Sequence, residues 1–311
     1  EVMDMRTVLV TGGAGFIGAR LVRMLISAGD FVVNLDALTY AADLSRLQGF
    51  MRHPRHVFVR GDVCDMALLS ALFRKHRFDV VFHLAAESHV DRSIENGCAF
   101  ARTNSLGTAV LLQAAVNEGV GRFVQVSTDE VYGSLGRDDP PWDEEQPLSP
   151  SSPYSASKAA GDHFALAFFR THGLNVSVTR CCNNFGPLQH GEKLLPTILR
   201  CLKAHRPVPI YGDGTNTREW IHVDDHCRAL MLVAERGQAG RVYNIGSGVE
   251  LSNLEMVDKI ADLLGYAGDR VRFVPDRKGH DRRYALNCAR IRNELGFSPR
   301  IDFDEGLKEL L

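Results

Sequence analysis

Short, nearly uninterrupted apolar runs punctuate the first 185 residues, separated by longer stretches in which apolar side chains recur at helical spacing. TVLVT (7–11), FVVNLD (31–36), HVFVRGD (56–62), DVVFHLAA (79–86), RFVQVST (122–128) and LNVSVTR (174–180) read as strands. Lacking a polar face, they suit a parallel sheet covered by helices on both sides. Amphipathic stretches at 16–28, 99–118 and 155–172 supply the crossovers. This alternation predicts an α/β fold, a doubly wound, Rossmann-type parallel sheet with right-handed connections. Such sheets bind ligands beyond the carboxyl ends of their strands.

After residue 185 the pattern loosens. GPLQHGEKLLP, HRPVPIYGDGTNTREW and VPDRKGHDRRYAL are rich in Gly, Pro and charge, which predicts loops that present side chains to a ligand. VYNIGSG (242–248) returns to strand character, so the chain is expected to revisit the main sheet. The expected division is 1–185 plus about 220–248 for a nucleotide-binding domain, with about 186–219 and 249–311 forming a smaller α/β lobe. A chain of 311 residues suits one large unit and one smaller one.

Composition narrows the partners. A formal net charge of -2 gives no electrostatic case for nucleic acid or an anionic membrane. The longest apolar runs are strand-sized, and no charged-then-apolar signal opens the sequence, so a cytoplasmic enzyme is expected. The cysteines, seven in number and without a CxxC, predict reduced thiols rather than a disulfide framework or zinc ribbon. HVDDH (222–226) imitates a helical zinc motif but has Val223 where the general base would stand. An acidic first helical turn explains Asp224 and Asp225 better, and no metal is expected.

TGGAGFIG follows the first strand and leads into a helix, spacing Gly12, Gly15 and Gly18 as GxxGxxG. The first glycine permits a tight turn, the second lets backbone approach a pyrophosphate, and the third lets helix and strand pack closely. The N–H groups at the helix start then face the phosphates. Asp36 closes the second strand, where a carboxylate accepts from a ribose 2′-hydroxyl and repels a 2′-phosphate. NAD is therefore favoured over NADP. Asp62 and Val63, ending the third strand, are placed to contact the adenine.

SPYSASKAAGDHF puts Tyr154 and Lys158 one helical turn apart on one face. A lysine beside the phenol and the nicotinamide ribose is expected to lower Tyr154 from about 10 toward neutrality. Its phenolate can then take the proton of a sugar hydroxyl as hydride leaves the same carbon, with Thr128 orienting that hydroxyl.

With these motifs in hand, the chain resembles the extended short-chain dehydrogenase/reductase family, in its sugar-nucleotide 4,6-dehydratase branch. TGGAGFIG, AAESHVDRSI, STDEVYGS, YSASKA, RCCNNFGP, EKLLP, YGDGTNTREWIHVDDHC and DRKGHDRRYAL carry the resemblance nearly end to end. It implies tightly held NAD, reduced and reoxidised within one turnover, and a homodimer. It implies conversion of dTDP-glucose to the 4-keto-6-deoxy sugar in deoxysugar biosynthesis. It widens the cofactor set to Phe16, Ile17, Leu38, Thr39, Leu84 and Ala85, together with Ala86, Ser88, Thr103 and Asn184. For the sugar nucleotide it implies Ser88, Thr128, Asn183, Lys193, Leu194 and Pro209, and beyond them Tyr211, Arg218, Asn253, Arg277 and His280. Arg218 and Arg277 suit a diphosphate, whose oxygens match the guanidinium fork. The chain departs from the family pattern at Ala42-Asp43, where Gly-Asn is usual, and at Phe185, where Tyr is common.

Asp129 and Glu130 sit side by side at the end of the fifth strand. Removing water across C5 and C6 of a hexose needs a base for a carbon-bound proton and an acid for the leaving hydroxide. Oxidation at C4 makes the C5 proton removable by delocalising the carbanion as an enolate. Glu130 then serves as base and Asp129, protonated, as acid, the assignment the resemblance also implies. Mutual repulsion helps keep one carboxyl protonated and the other not. Because neighbouring strand residues point to opposite faces, the pair must lie where the strand has broken into a turn. The rival sugar-nucleotide readings are a 4-epimerase, which has no use for this acid and base, and a UDP-glucuronate decarboxylase, which carries Ser at the place of Asp129. A non-catalytic NAD-binding protein would usually lack Tyr154 or Lys158.

Overall fold

In β1 (Thr7–Thr11), Val8, Leu9 and Val10 are all sealed from solvent, so this apolar run is covered on both faces. The computed structural model describes residues 5–311, so the first four residues of the expected nucleotide-binding domain lie outside the described residues. Around β1 assemble β2 (Phe31–Asp36), β3 (His56–Arg60), β4 (Val80–His83), β5 (Arg122–Thr128) and β6 (Val176–Cys181). With β10 (Val242–Ile245) they form a seven-stranded sheet in the order β10-β6-β5-β4-β1-β2-β3. Every pairing in it is parallel, from Val32 opposite His56 at one edge to Val242 opposite Val178 at the other.

Helices α1 (Phe16–Ala28), α2 (Met66–His76), α3 (Val90–Glu95), α4 (Gly97–Phe100), α5 (Gly107–Asn117) and α6 (Pro153–His172) follow the strands, as does α8 (Val223–Arg236) farther along. Local chemistry sets their ends. Ser152 and Ser155 form a reciprocal capping box with Pro153 in the first turn of α6, and Gly173 closes that helix in the left-handed region. His222 caps α8 by accepting the Asp224 N–H at 3.2 Å, and Asp225 accepts from the N–H groups of Arg300 and Ile301. The HVDDH residues thus have structural partners.

Several predicted elements differ in detail. β3 ends at Arg60 because Asp62 turns the chain, accepting from Cys64 N–H at 2.8 Å. β4 ends at His83, and the Thr11 hydroxyl takes over the ladder by accepting from Ala85 N–H at 3.1 Å. The helix expected over 99–118 widens into a π-helical stretch at Ala101–Leu106 between α4 and α5. There the buried Asn104 exchanges hydrogen bonds with the main chain of Glu87, donating at 2.9 Å and accepting at 2.8 Å.

The remaining strands build two small sheets. β7 (Asn183–Phe185), β9 (Thr217–His222) and β11 (Glu250–Ser252) form one, and β8 (Val208–Tyr211) pairs with β12 (Val271–Val274) in the other. Helices α7 (Leu194–Lys203) and α9 (Asn253–Leu263) enclose a separate apolar core, in which Ile198, Leu202, Ile210, Trp220, Met256 and Ile260 are buried. β7 begins two residues after β6 ends, so the second core starts where the main sheet presents its carboxyl edge.

Candidate active site

The turn after β1 is shaped by its glycines. Gly12 has φ +75°, and a Cβ there would stand 2.7 Å from the Ala85 nitrogen. A Cβ on Gly18 would meet the Gly12 carbonyl at 2.1 Å, so α1 approaches the turn as only glycine allows. Asp36 holds this turn from the next strand: one carboxylate oxygen accepts Ala14 N–H at 2.9 Å and the other accepts Leu38 N–H at 2.7 Å. A cleft of about 530 Å³ opens above, at the carboxyl edge of the sheet.

Most predicted cofactor residues line that cleft: Gly12, Gly15, Phe16, Ile17 and Gly18 from the turn, Asp36, Thr39, Asp62 and Val63 from the next two strand ends. Leu84, Ala85, Ala86, Ser88, Thr103 and Asn184 line it from the other side. Leu38 does not. It has φ 56° and packs its side chain on the apolar core. The cradle, the strand-end carboxylate and this elongated lining fit a dinucleotide.

The same cleft reaches Thr128, Asp129, Glu130, Tyr154 and Lys158. β5 ends at Thr128 and the chain enters a 3-10 turn, Asp129–Tyr132, so the two carboxylates leave strand geometry. The Thr128 hydroxyl accepts Glu130 N–H and donates to Asp129 Oδ1, both at 3.2 Å. Asp129 Oδ2 is buried and has no partner among the described residues. Burial, then the charge of Glu130, holds the Asp129 carboxyl well above the usual carboxylate range. Glu130 is half-buried, and burial raises it as well, but Arg277, Arg218 and Lys193 pull it back toward the charged form. The neighbouring acids are thus biased apart, Asp129 toward the protonated state.

Tyr154 departs from expectation. Burial, followed by the charges of Glu130 and Asp129, raises its phenol rather than lowering it. Lys158 does not outweigh this: its ammonium donates to the Val126 carbonyl at 2.7 Å, and burial brings it down to about 8. Helical spacing places both side chains on one cleft, but the protein's own charges do not make a phenolate.

The predicted substrate residues divide. Ser88, Asn183 and Lys193 line the cleft, and Lys193 Nζ donates to the Ser88 carbonyl at 3.1 Å. Leu194, Pro209, Tyr211, Arg218, Asn253, Arg277 and His280 lie outside its lining. Leu194 and Asn253 open α7 and α9, while Pro209 is an exposed residue of β8. Tyr211 donates to Asp91 at 3.3 Å, the Arg277 guanidinium is 3.8 Å from Asp91, and His280 stands edge-on to Tyr211 at 6.2 Å. Arg218 is buried, with its guanidinium over the Tyr284 ring at 4.2 Å.

Sequence reasoning missed a polar cluster lining the cleft around Asn184. Asn184 donates to Cys181 Sγ at 3.3 Å and to the Cys182 carbonyl at 3.0 Å, and its own oxygen lies 2.8 Å from His226 Nδ1. That oxygen can only accept, so Nδ1 carries the proton. Cys181, Cys182 and His226 all line the cleft. The signal was a histidine in HVDDH whose partner lies 42 residues away.

Comparison with known proteins gives a consistent picture. The family described as GDP-mannose 4,6 dehydratase matches residues 9–310. A dTDP-glucose 4,6-dehydratase of Streptomyces niveus is 51% identical over 97% of this chain and 90% of its own length. The crystal structure of a dTDP-glucose 4,6-dehydratase from Streptomyces venezuelae, with NAD and dTDP bound, superposes with a TM-score of 0.93 at 50% identity. That match covers 97% of this chain and 94% of the other. A UDP-glucose 4-epimerase of Thermotoga maritima has a TM-score of 0.91 at 32% identity, covering 97% of this chain and 96% of that one.

Proposed function

The chain belongs to the GDP-mannose 4,6-dehydratase family, within the extended short-chain dehydrogenase/reductases, and on that premise we propose that it dehydrates dTDP-glucose to dTDP-4-keto-6-deoxyglucose. It is an NAD-dependent carbon–oxygen lyase of deoxysugar biosynthesis. The observation that carries this reading is Asp129: a buried carboxyl held toward its protonated form, with one oxygen free of partners among the described residues, on the cleft it shares with Tyr154. An epimerase that only oxidises and re-reduces C4 has no use for it.

Gly12, Gly15, Gly18 and Asp36 would hold the dinucleotide. When bound, NAD would supply a hydride acceptor at C4 and a hydride donor at C6, and its positively charged ring would favour the Tyr154 phenolate. Thr128 orients the C4 hydroxyl and Tyr154 takes its proton, with the Lys158 cation opposing the carboxylates that burden the phenol. Glu130 removes the C5 proton next to the new carbonyl, and Asp129 protonates the departing C6 hydroxyl. Enolate charge develops close to Lys158, Thr128 and Tyr154, where preorganised donors stabilise it without solvent reorganisation. The lobe built on α7 and α9 holds the nucleotide diphosphate, a role supported by the positive field of Arg218, Arg277 and Lys193 at Glu130. In this division, 1–185 plus about 220–248 carries the cofactor, and about 186–219 with 249–311 carries the sugar nucleotide. Membership of β10 in the large sheet and of β8, β11 and β12 in the small ones supports it.

No helix among the described residues is long and apolar enough to cross a membrane. A cytoplasmic homodimer is part of the proposal, supported by Leu106 and Phe164, apolar side chains exposed on the π-helical stretch and on α6. The test of the reaction is substrate deuterated at C4. The label should appear at C6 of a 4-keto-6-deoxy product with one solvent hydrogen at C5, whereas a 4-epimer, or label lost to water, refutes it.

A further inference from the structure

We propose that Arg46 is a latch that retains the dinucleotide, its buried guanidinium tying together three chain segments that border the cofactor end of the cleft. The inference rests on the NAD reading above. Arg46 is 8% exposed, yet its hydrogen-bond partners are main-chain carbonyls rather than a carboxylate. Nη1 donates to the Ala14 carbonyl at 3.2 Å and to the Ala41 carbonyl at 2.9 Å, while Nε donates to the Leu188 carbonyl at 3.0 Å. A buried cation satisfied only by carbonyls is an expensive tie, and an arginine is otherwise rarely found there.

Each carbonyl borders the cleft. Ala14 lies inside the glycine turn, Ala41 lines the cleft itself, and Leu188 precedes the lining residues Gln189 and His190. The turn is held from below by Asp36, through Ala14 N–H at 2.9 Å, so Arg46 connects an already rigid cradle to two flanking segments. The 186–193 segment is not held by burying its own apolar residue: Leu188 is 66% exposed and has φ 68°. Besides Arg46, Gln189 Nε2 donates to the Asn184 carbonyl at 2.9 Å, Arg200 and Thr197 donate to the Gly191 carbonyl at 2.6 and 3.3 Å, and Lys193 Nζ donates to the Ser88 carbonyl at 3.1 Å. None of these side-chain ties reaches the glycine turn. Retention suits the chemistry, because a cofactor restored within each turnover has no reason to leave.

The test compares wild-type holoenzyme with Arg46→Ala and Arg46→Lys. Release of bound NAD is followed after dilution into excess isotopically labelled NAD, and amide exchange is measured across 186–193. Losing charge-assisted bonds to three carbonyls should speed release at least about tenfold in Arg46→Ala, with faster amide exchange in 186–193; the stranded carbonyls also lower stability, so release is compared at a temperature where every variant is fully folded. Arg46→Lys keeps the charge on a single nitrogen that cannot span the three carbonyls, so its release should fall between the two. It decides the matter if Arg46→Ala does not fold. Release at the wild-type rate from the folded variants overturns the latch. Wild-type protein that binds no NAD instead overturns the cofactor reading beneath it.

Discussion

Asp36 at the end of β2 and Asp129 just past the end of β5 border the same cleft, but the chain treats them in opposite ways. Both oxygens of Asp36 accept main-chain N–H groups, and the residue braces the turn it faces. Asp129 has one oxygen with no partner among the described residues, and further unsatisfied side-chain groups occur at Gln125 and Ser127 of β5 and at His226 Nε2. With both oxygens satisfied, Asp36 stiffens the turn it braces. The unsatisfied oxygen of Asp129 costs stability and leaves hydrogen-bonding capacity for a reacting molecule. The lesson is that a buried polar atom without a partner, at a strand's carboxyl end, is a better mark of chemistry than charge alone.

The strongest test of this contrast is Asp129→Asn. Loss of the general acid should slow water elimination by about 10²–10⁴ while sparing C4 oxidation, and melting temperature should not fall, because no satisfied bond is lost. Rapid-quench product analysis separates the two steps, and equal damage to both would remove Asp129 from the acid's role. Next in size is Gly18→Ala. The added Cβ would collide with the Gly12 carbonyl at 2.1 Å, so we expect a cost of about 1–3 kcal/mol and NAD binding weakened by about 10–100-fold. Titration calorimetry checks it, and wild-type affinity would mean that the turn is softer than its geometry.

Asp36→Ala should behave as the mirror image of Asp129→Asn. It strands the Ala14 and Leu38 N–H groups, so a stability loss of about 1–3 kcal/mol is expected together with weaker NAD binding, both measurable by denaturant unfolding. The smallest effect is in pH. Burial lowers Lys158 to about 8 from its ordinary 10.5, so the folded protein binds fewer protons there than the unfolded chain. The buried cation therefore opposes folding below about 8, and that opposition is relieved as pH rises from about 8 toward 10.5. Activity moves the other way, since the cation that favours the Tyr154 phenolate is lost above about 8. We expect single-turnover C4 oxidation to decline above that pH, while Lys158→Met raises the melting temperature at neutral pH. A flat alkaline limb, or a variant no more stable than the parent, would erase the contrast at this residue.

Much of this contrast was legible before any coordinates. Strand ends, the glycine triplet and the helical spacing of Tyr154 and Lys158 are local patterns, fixed by the two-residue repeat of strands and the 3.6-residue turn of helices. From them came the sheet and the residues gathered on its carboxyl edge. The direction in which the protein alone moves the Tyr154 phenol was not legible, because it depends on groups that sequence spacing does not bring into view: burial by the surrounding fold, and the Asp129–Glu130 turn pressing its charge on the phenol. Leu38 was likewise placed by position alone; its side chain packs on the apolar core and it is not among the lining residues of the cleft.

By itself, then, the order of apolar and polar residues determined that a parallel sheet forms, where its ligand edge lies, and which acids and hydroxyls stand there. Only the tertiary structure decided which of those groups are satisfied. The Arg46 carbonyls come from residues 14, 41 and 188, and the Asn184–His226 contact joins residues 42 apart. Hydrogen bonding and desolvation act over a few ångströms of space regardless of distance along the chain, so they are settled only when the chain has closed on itself.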